Sequence, residues 1–261
     1  MELLLTIDAG NTNTVFGVHA GSELRAHWRL TTRREQTADE YGILVRNLFA
    51  ASGIEPESIA GVALASVVPP LTSVLVALAR QYLSQEPLVV EPGVKTGMPI
   101  LYDPPGDVGA DRIVNGVAAF AQFGGPVIVV DFGTATTLDV VTKRGEYAGG
   151  VIVPGVGISA DALFQRAARL PRVEVRNPGR VVGRTTVTSI QSGLYFGYAA
   201  MVEGLIARIR AELGERARVV ATGGLAETLS AELPSIERVD PVLTLNGLRL
   251  IWERNRAQRG D

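Results

Sequence analysis

The chain has 261 residues and a formal net charge of −2, with 46% hydrophobic and 20% charged residues. This composition is typical of a globular protein with a sizeable core, and the near-neutral charge gives no general attraction to nucleic acid or to an anionic membrane. The sequence contains no cysteine, which excludes disulfides, thiolate metal sites and cysteine nucleophiles.

The N-terminal part reads as strand, polar turn and strand. An apolar run over residues 3–7 leads into a turn rich in Asn and Thr, and strand character resumes at 15–18. The run is too short for a signal peptide or a membrane span, so we expect a cytoplasmic protein. Because the only two histidines, His19 and His27, cannot build a multi-histidine metal site, we expect both at ordinary surface or edge positions.

Helical and strand patterns then alternate, which is typical of an α/β protein. The first half continues with a strand at 23–30, a helix at 37–52, a strand at 60–67, a helix at 71–83, a strand at 88–90 and a helical stretch at 113–120.

The same order of strand, polar turn and strand recurs in the middle of the chain. An apolar strand at 126–130 leads into a second Asp-x-Gly turn, and a strand resumes at 138–141. This internal repeat predicts two duplicated domains, 1–122 and 123–261, that face each other across a cleft. The second half continues with a strand at 150–153, a helix at 159–168, a loop at 171–183, a helix at 189–213, a strand at 218–221 and helices at 225–233 and 244–258.

The two Asp-x-Gly turns have the chemistry of a phosphate site. Glycine lets the backbone approach a bulky anion, and successive turn N–H groups form an anion-binding concavity. The aspartates would hold the cation that accompanies phosphate rather than phosphate itself. Two structural hairpins with polar tips are the alternative. The polar donors of the two turns are Asn11, Thr12, Thr134, Thr136 and Thr137.

Three further segments carry weaker signals. Gly223 and Gly224, between a strand and a helix, could pack against an adenosine ring or serve turn geometry alone. Asp111 lies near the start of a helix, where it could be a catalytic base or a helix cap paired with Arg112. Residues 155–160 are similar to a dinucleotide fingerprint, but the preceding Pro154 and the late position disfavour that interpretation. A P-loop motif is absent from the sequence.

Together these segments resemble the acetate and sugar kinase/heat-shock ATPase/actin superfamily, whose members contain two ribonuclease H-like, actin-like ATPase domains. In detail the sequence resembles the type III pantothenate kinases nearly from end to end. The motifs that carry this resemblance are DAGNTNTVFG from Asp8, SVVP from Ser66, PGVKTG from Pro92, YDPPGDVGADR from Tyr102, DFGTATT from Asp131, GGVIVPG from Gly149, GRTT from Gly183 and ATGG from Ala221.

The resemblance implies phosphorylation of pantothenate by ATP, the first step toward coenzyme A, with Mg²⁺ accompanying ATP. It implies that Asp111 is the catalytic base and that Asp131 binds a monovalent cation, K⁺ or NH₄⁺. It also implies a homodimer, for which the helix at 189–213 is the candidate interface. The implied ATP-binding residues are Asp8, Ala9, Gly10, Asn11, Thr12, Asn13, Thr14, Val15, Thr134, Gly223 and Gly224. The implied pantothenate-binding residues are Tyr102, Gly109, Ala110, Asp111, Arg112 and Thr186.

Two other functions stay open at this point. The same fold family includes regulators of the Bvg accessory factor type, which could keep an ATP site while losing turnover. A sugar or acyl-phosphate kinase of the same superfamily is a second alternative. The presence of Tyr102, Asp111, Arg112 and Thr186 weighs against a degenerate site.

Overall fold

The computed structural model describes residues 2–259, with side chains described up to residue 256. The chain divides into two compact units. The first contains the chain up to Met98, then Asp103–Ala118, and the chain from Thr244 onward; the second contains Pro99–Tyr102 and Ala119–Leu243. The C-terminal helix therefore belongs to the first unit, whereas a division based on the sequence repeat assigns it to the second.

The first unit contains a five-stranded mixed sheet. Its strands are β1 (Leu3–Ala9), β2 (Asn13–Ala20), β3 (Glu23–Thr31), β4 (Ile59–Ser66) and β5 (Leu88–Val89), in the order β3-β2-β1-β4-β5. Strands β1, β2 and β3 pair antiparallel, and β4 and β5 extend the sheet in parallel.

The second unit repeats this topology strand for strand. Its strands are β6 (Val127–Phe132), β7 (Ala135–Val141), β8 (Tyr147–Pro154), β9 (Arg218–Thr222) and β10 (Arg238–Val239), in the order β8-β7-β6-β9-β10. The β6, β7 and β8 pairings are antiparallel, and β9 and β10 are parallel. The prediction of an α/β fold with two duplicated domains is confirmed.

The helices begin and end where the sequence supplies caps. Helix α1 (Ala38–Ala51) starts with a capping box in which Thr37 and Glu40 exchange hydrogen bonds. Helix α2 (Pro69–Leu83) starts on two prolines, which lack the N–H that the first turn would leave unpaired. The others are α3 (Ala110–Phe123), α4 (Val156–Arg166), α5 (Thr186–Ser192), a π-helical turn (Gly193–Gly197), α6 (Tyr198–Leu213), α7 (Ala226–Ser230) and α8 (Leu243–Arg259).

Each unit has its own hydrophobic core. In the first, Ile7 and Phe16 of the sheet pack with Phe49 of α1 and Leu75 of α2. In the second, buried sheet residues such as Val130 pack with the α5–α6 segment and α7. Burying apolar area at about 25 cal/mol per Å² stabilises each unit around its own sheet.

Helix α8 is tied to the first unit by polar and close backbone contacts. Thr244 Oγ1 donates to Asn115 Oδ1 at 2.7 Å, and the Arg254 guanidinium donates to the Thr96 carbonyl. A Cβ at Gly247 would lie 2.2 Å from the Val114 carbonyl oxygen, so α8 approaches α3 as closely as backbone allows. These contacts explain why the last helix does not belong to the repeat that precedes it in sequence.

The expectation for His19 is wrong. Its side chain is fully buried on β2, which lies inside the sheet between β1 and β3. Both ring nitrogens are without a hydrogen-bond partner among the described residues. Burial lowers the pKa of His19 to about 4, and the positive charge of Arg249 contributes a smaller effect in the same direction. His27 on β3 is exposed, as expected.

None of the helices in the described part of the chain combines the length and the apolar character that crossing a membrane requires.

Candidate active site

The first Asp-x-Gly hairpin, which the sequence predicts to bind phosphate and which we call the first phosphate hairpin, has a three-residue turn between β1 and β2. The N–H of Gly10 donates to the Asn13 carbonyl at 3.0 Å, which closes the turn. A Cβ at Gly10 would lie 3.1 Å from the same carbonyl oxygen, so this position has little room for a side chain. Asn11 and Thr12 are exposed at the tip, and their backbone and side-chain donors are therefore accessible to a ligand.

Two residues beyond β3 hold this hairpin, and neither was predicted. The Thr32 hydroxyl donates to the Gly10 carbonyl at 2.7 Å and lies 2.9 Å from the Thr14 hydroxyl. The Arg34 guanidinium donates to Asn11 Oδ1 at 3.2 Å. No motif links residues 32 and 34 to the turn, because the contact depends on the β2–β3 pairing.

The SVVP segment connects the first hairpin to the start of α3. The N–H of Val67 donates to the Ala9 carbonyl at 3.0 Å, directly after the parallel pairing of Asp8 with Ala65. A Cβ on Gly109 would lie 3.7 Å from the Val67 side chain and 2.6 Å from Asp111 Oδ1. Within the first unit the structure thus brings three of the predicted motifs together.

Gly109 makes room for the Asp111 carboxylate. Asp111 Oδ1 accepts a hydrogen bond from the Arg112 N–H at 2.8 Å, so the carboxylate caps the first turn of α3. Burial raises the pKa of Asp111, and this effect outweighs the opposing hydrogen bond and positive charge from Arg112. The hydrogen bond is the capping interaction that the sequence predicts for Asp111, and the role of the same carboxylate as a base stays a prediction.

The second phosphate hairpin is the shorter turn Gly133–Thr134, between β6 and β7. It packs against Gly155, the residue before α4, whose N–H donates to the Thr134 carbonyl at 3.2 Å. A Cβ on Gly155 would lie 2.1 Å from that carbonyl oxygen and 2.8 Å from the Gly133 carbonyl oxygen. The resemblance of 155–160 to a dinucleotide fingerprint therefore reflects close packing of α4 on this hairpin.

The Gly223 turn lies against Asp131, a residue of β6 just before the same hairpin. Asp131 pairs with Thr222 across the parallel β6–β9 ladder. Gly223 has φ +93°, and a Cβ there would lie 2.5 Å from Asp131 Oδ1. Only glycine combines this backbone conformation with this approach. Gly224 next to it is exposed.

Tyr102, a predicted substrate residue, lies next to the β8 edge of the second unit. Its ring centroid is 6.4 Å from that of Tyr147, and the Tyr147 hydroxyl donates to Asp139 Oδ1 at 2.7 Å. Thr137 Oγ1 donates to the other oxygen of the fully buried Asp139 carboxylate. The ring of Tyr102 thus packs near a tyrosine that is held in place by hydrogen bonds to Asp139, and the sequence motifs did not indicate this support.

Thr186, the other predicted substrate residue of this unit, is exposed at the first position of α5. It lines an open groove of about 850 Å³, together with residues of α4 and the GRTT segment. Gly183 packs on the backbone of Ser189, where a Cβ would lie 2.4 Å from the amide nitrogen. A capping box between Thr185 and Thr188 fixes the start of the helix.

The predicted site residues therefore fall into two sets by unit. The first hairpin and the Gly109–Arg112 segment belong to the first unit; the second hairpin, the Gly223 turn, Tyr102 and Thr186 belong to the second. Among the described residues, no group of three or more His, Asp or Glu side chains could hold a metal ion.

Comparison with solved structures defines the class of protein. A conserved candidate transcriptional activator of the Baf family from Campylobacter jejuni superimposes with a TM-score of 0.61 at 18% identity, covering 97% of this chain and 99% of that one. An inorganic polyphosphate/ATP-glucomannokinase from Arthrobacter sp. strain KM superimposes with a TM-score of 0.51 at 14% identity, covering 99% and 100% of the two chains. With its two matching sheets, the chain has the duplicated ribonuclease H-like fold of the actin-like ATPases and kinases.

Comparison of sequences gives the family. The family model described as type III pantothenate kinase matches residues 4–208. A type III pantothenate kinase from Moorella thermoacetica is 56% identical over 253 residues, covering 97% of this chain and all of that protein. The chain belongs to the type III pantothenate kinase family.

Proposed function

We propose that this protein transfers the γ-phosphoryl group of ATP to the primary hydroxyl of pantothenate, in the first step of coenzyme A synthesis in the cytoplasm. Family membership supports the reaction and its substrate. The observation on this chain that carries the mechanism is the half-buried Asp111 carboxylate packed against Gly109, next to the segment that contacts the first hairpin.

Each of the two hairpins, taken by itself, supplies groups that bind ATP phosphate. Their exposed tips offer backbone N–H groups and neutral side-chain donors, at Asn11 and Thr12 in one and Thr134 in the other. The exposed Gly224, next to Gly223, leaves an open backbone surface for the adenosine. Mg²⁺ accompanies the nucleotide and neutralises charge on the phosphates.

Asp111 is the general base. The pKa of Asp111 is raised, so it lies closer to neutral pH than the pKa of an ordinary carboxyl group, and this favours proton transfer to the carboxylate. As the substrate hydroxyl oxygen bonds to the γ-phosphorus, the bond from phosphorus to the bridging β–γ oxygen breaks. The hydroxyl proton moves to Asp111, and ADP leaves. Arg112, Tyr102 and Thr186 hold pantothenate through polar contacts.

Asp131 holds the monovalent cation. Asp131 Oδ1 lies against the Gly223 backbone and 3.4 Å from the position of a Cβ on Gly133, whose carbonyl belongs to the same hairpin as that of Thr134. These groups present oxygen atoms, which are the ligands that potassium-like hard cations prefer. The donor set therefore fits a K⁺ or NH₄⁺ ion, which would add positive charge beside the phosphates.

The test is ADP release from purified protein with Mg²⁺-ATP and potassium. Pantothenate should stimulate release, whereas glucose, acetate and a no-acceptor control should not. Replacing potassium with sodium should depress the rate, because the smaller ion does not suit the same oxygen cradle. ATP binding without turnover would instead favour a regulator, and turnover with another acceptor would reassign the substrate. A rate that is indifferent to the ion would contradict the role of Asp131.

The protein forms a homodimer through one face of the second unit. The predicted helix carries exposed Gly193, Gly197, Ala200 and Gly204 in a row at helical spacing, while Ala199 is buried in the core of its own unit. Gly193 lines the same groove as Leu163 of α4. Large apolar side chains are exposed in α4, in the residues just before Gly183 and in α5, at Ile158, Leu163, Phe164, Val181, Val182 and Val187. An exposed apolar surface of this kind marks an interface.

Phe164→Glu should convert the dimer to a monomer in sedimentation velocity at micromolar concentration, because it places a charge in the apolar contact. Ile43→Glu is the matched control: Ile43 is also an exposed apolar residue, but it lies on α1 of the first unit. Ile43→Glu should remain dimeric. A monomeric wild-type protein would refute the dimer, and a dimeric Phe164→Glu variant would place the interface elsewhere.

A further inference from the structure

The first unit contains a pocket that the proposed reaction does not use. It has a volume of about 370 Å³ and is lined by the start of β1, the end of β2 and one face of α8. Leu3, Leu4 and Trp252 form its apolar wall. The phosphate hairpin follows the opposite end of β1, five residues from Leu4, which corresponds to about 16 Å along a strand. The pocket is therefore separate from the candidate active site.

Two buried polar groups line this pocket without hydrogen-bond partners in the described part of the chain. Both ring nitrogens of His19 lack a partner, and its side chain is fully buried. The Nε of Arg249 is also buried and unpaired, although the same guanidinium contacts Glu253 through Nη1 at 2.6 Å. Leaving a buried donor unpaired costs about 1–3 kcal/mol, so these groups favour an occupant that accepts hydrogen bonds.

The charges around the pocket favour an anionic occupant at its inner end. The titratable groups that line it are His19, Arg249, Glu253, Glu2 and Arg256. At the rim Arg256 pairs with Glu2 at 2.9 Å and lies over the Trp252 ring. Glu253 is partly exposed, while the Arg249 side chain is mostly buried beside the neutral His19. The inner wall thus combines a guanidinium with an imidazole, and both can donate.

We propose that this pocket binds the oxyanion group of a small molecule, with carboxylate or phosphate oxygens accepting hydrogen bonds from Arg249 Nε and a ring nitrogen of His19. The apolar wall accommodates the rest of the molecule. An arginine N–H and an imidazole N–H together form charge-assisted hydrogen bonds to such a group.

His19 is a direct reporter for the test, since the chain contains only one other histidine. The imidazole signals would be followed by NMR during pH titration with benzoate, with inorganic phosphate and without added anion. His27→Gln assigns the two signals. Binding should shift the His19 signal and raise its pKa from about 4, because the anion favours the imidazolium form. A response to benzoate alone or to phosphate alone identifies the preferred group.

Two variants at the pocket make the test specific. Arg249→Met should abolish the anion-dependent change at His19. Glu253→Gln should strengthen it, because it removes the carboxylate that competes for Arg249. Binding that survives in Arg249→Met would overturn the proposal, as would a His19 signal that neither anion moves in the wild-type or the Glu253→Gln protein. The NMR signal does not depend on phosphoryl transfer, so the proposed anion site can fail or succeed independently of the proposed kinase activity.

Discussion

Asp111→Asn is expected to lower the turnover number by about two to four orders of magnitude, the usual contribution of a positioned general base. ATP binding should persist, because the hairpins do not depend on this carboxylate. The amide oxygen of asparagine can still accept the Arg112 N–H, so the first turn of α3 keeps its cap. Steady-state kinetics and ATP titration measure the two effects separately.

The same substitution should leave the fold at least as stable at neutral pH. Burial raises the pKa of Asp111 in the folded state, so this group stabilises the fold most below its unfolded pKa and loses that contribution as the pH rises through the folded pKa. Replacing it with a neutral amide removes a charge that the fold partly desolvates. Thermal melting at pH 7 should therefore give a Tm equal to or above that of the wild type, and the difference should shrink at acidic pH.

Asp107→Asn is the control for Asp111→Asn. Asp107 is exposed four residues earlier, so its loss removes an equal charge from the same segment without touching a buried group. Its turnover should remain near the wild-type value. Near-normal turnover in Asp111→Asn would reject the base, and joint loss of stability and ATP binding would assign Asp111 a structural role instead.

Gly155→Ala is expected to disrupt the second phosphate hairpin. The added methyl group would lie 2.1 Å from the Thr134 carbonyl oxygen, which is backbone and cannot rotate away. Relieving the clash requires α4 or the hairpin tip to move, at a typical cost of about 1–3 kcal/mol. ATP affinity should fall by about tenfold or more, since the displaced tip carries Thr134. Isothermal titration with ATP and a melting curve measure both changes.

Gly157→Ala, two residues further along and inside α4, is the matched control. A Cβ at Gly157 meets no atom within 4 Å, so the substitution adds the same methyl group in open space. Alanine is a better helix former, and this variant should gain about 0.5–1 kcal/mol of stability with unchanged ATP affinity. Equal behaviour of the two alanine variants would show that the close approach at Gly155 has no role in holding the hairpin.

Local patterns in the sequence were sufficient for most of the elements and for the repeat. Strands β1 and β6 are apolar runs that end in Asp-x-Gly, and the structure pairs both in the same way with the strand that follows. Hairpins form between adjacent segments, so their partners can be identified from the sequence. Helix α6 ends at Leu213, the predicted residue, and Gly214 follows it in a left-handed conformation.

Contacts between segments that are distant in the chain could not be predicted from the sequence. Thr32 supports the first hairpin only because β3 pairs with β2, and Gly155 contacts the second hairpin only because β8 returns along β7. The sequence predicts an ordinary surface or edge position for His19, because the alternation of residues along a strand does not show which face of the sheet other segments cover. Helix α8 covers part of the first unit from the far end of the chain, and its Arg249 lines a pocket with His19.

The sequence by itself determined the fold class, the duplicated hairpins and the residue types that we predict to bind phosphate, because these depend on local periodicity and on short motifs. Only the tertiary structure decided which glycines are indispensable, that burial raises the pKa of Asp111, and that the last helix belongs to the first unit. Burial and close approach are set by the segments that pack around a residue, and those segments come from distant parts of the chain.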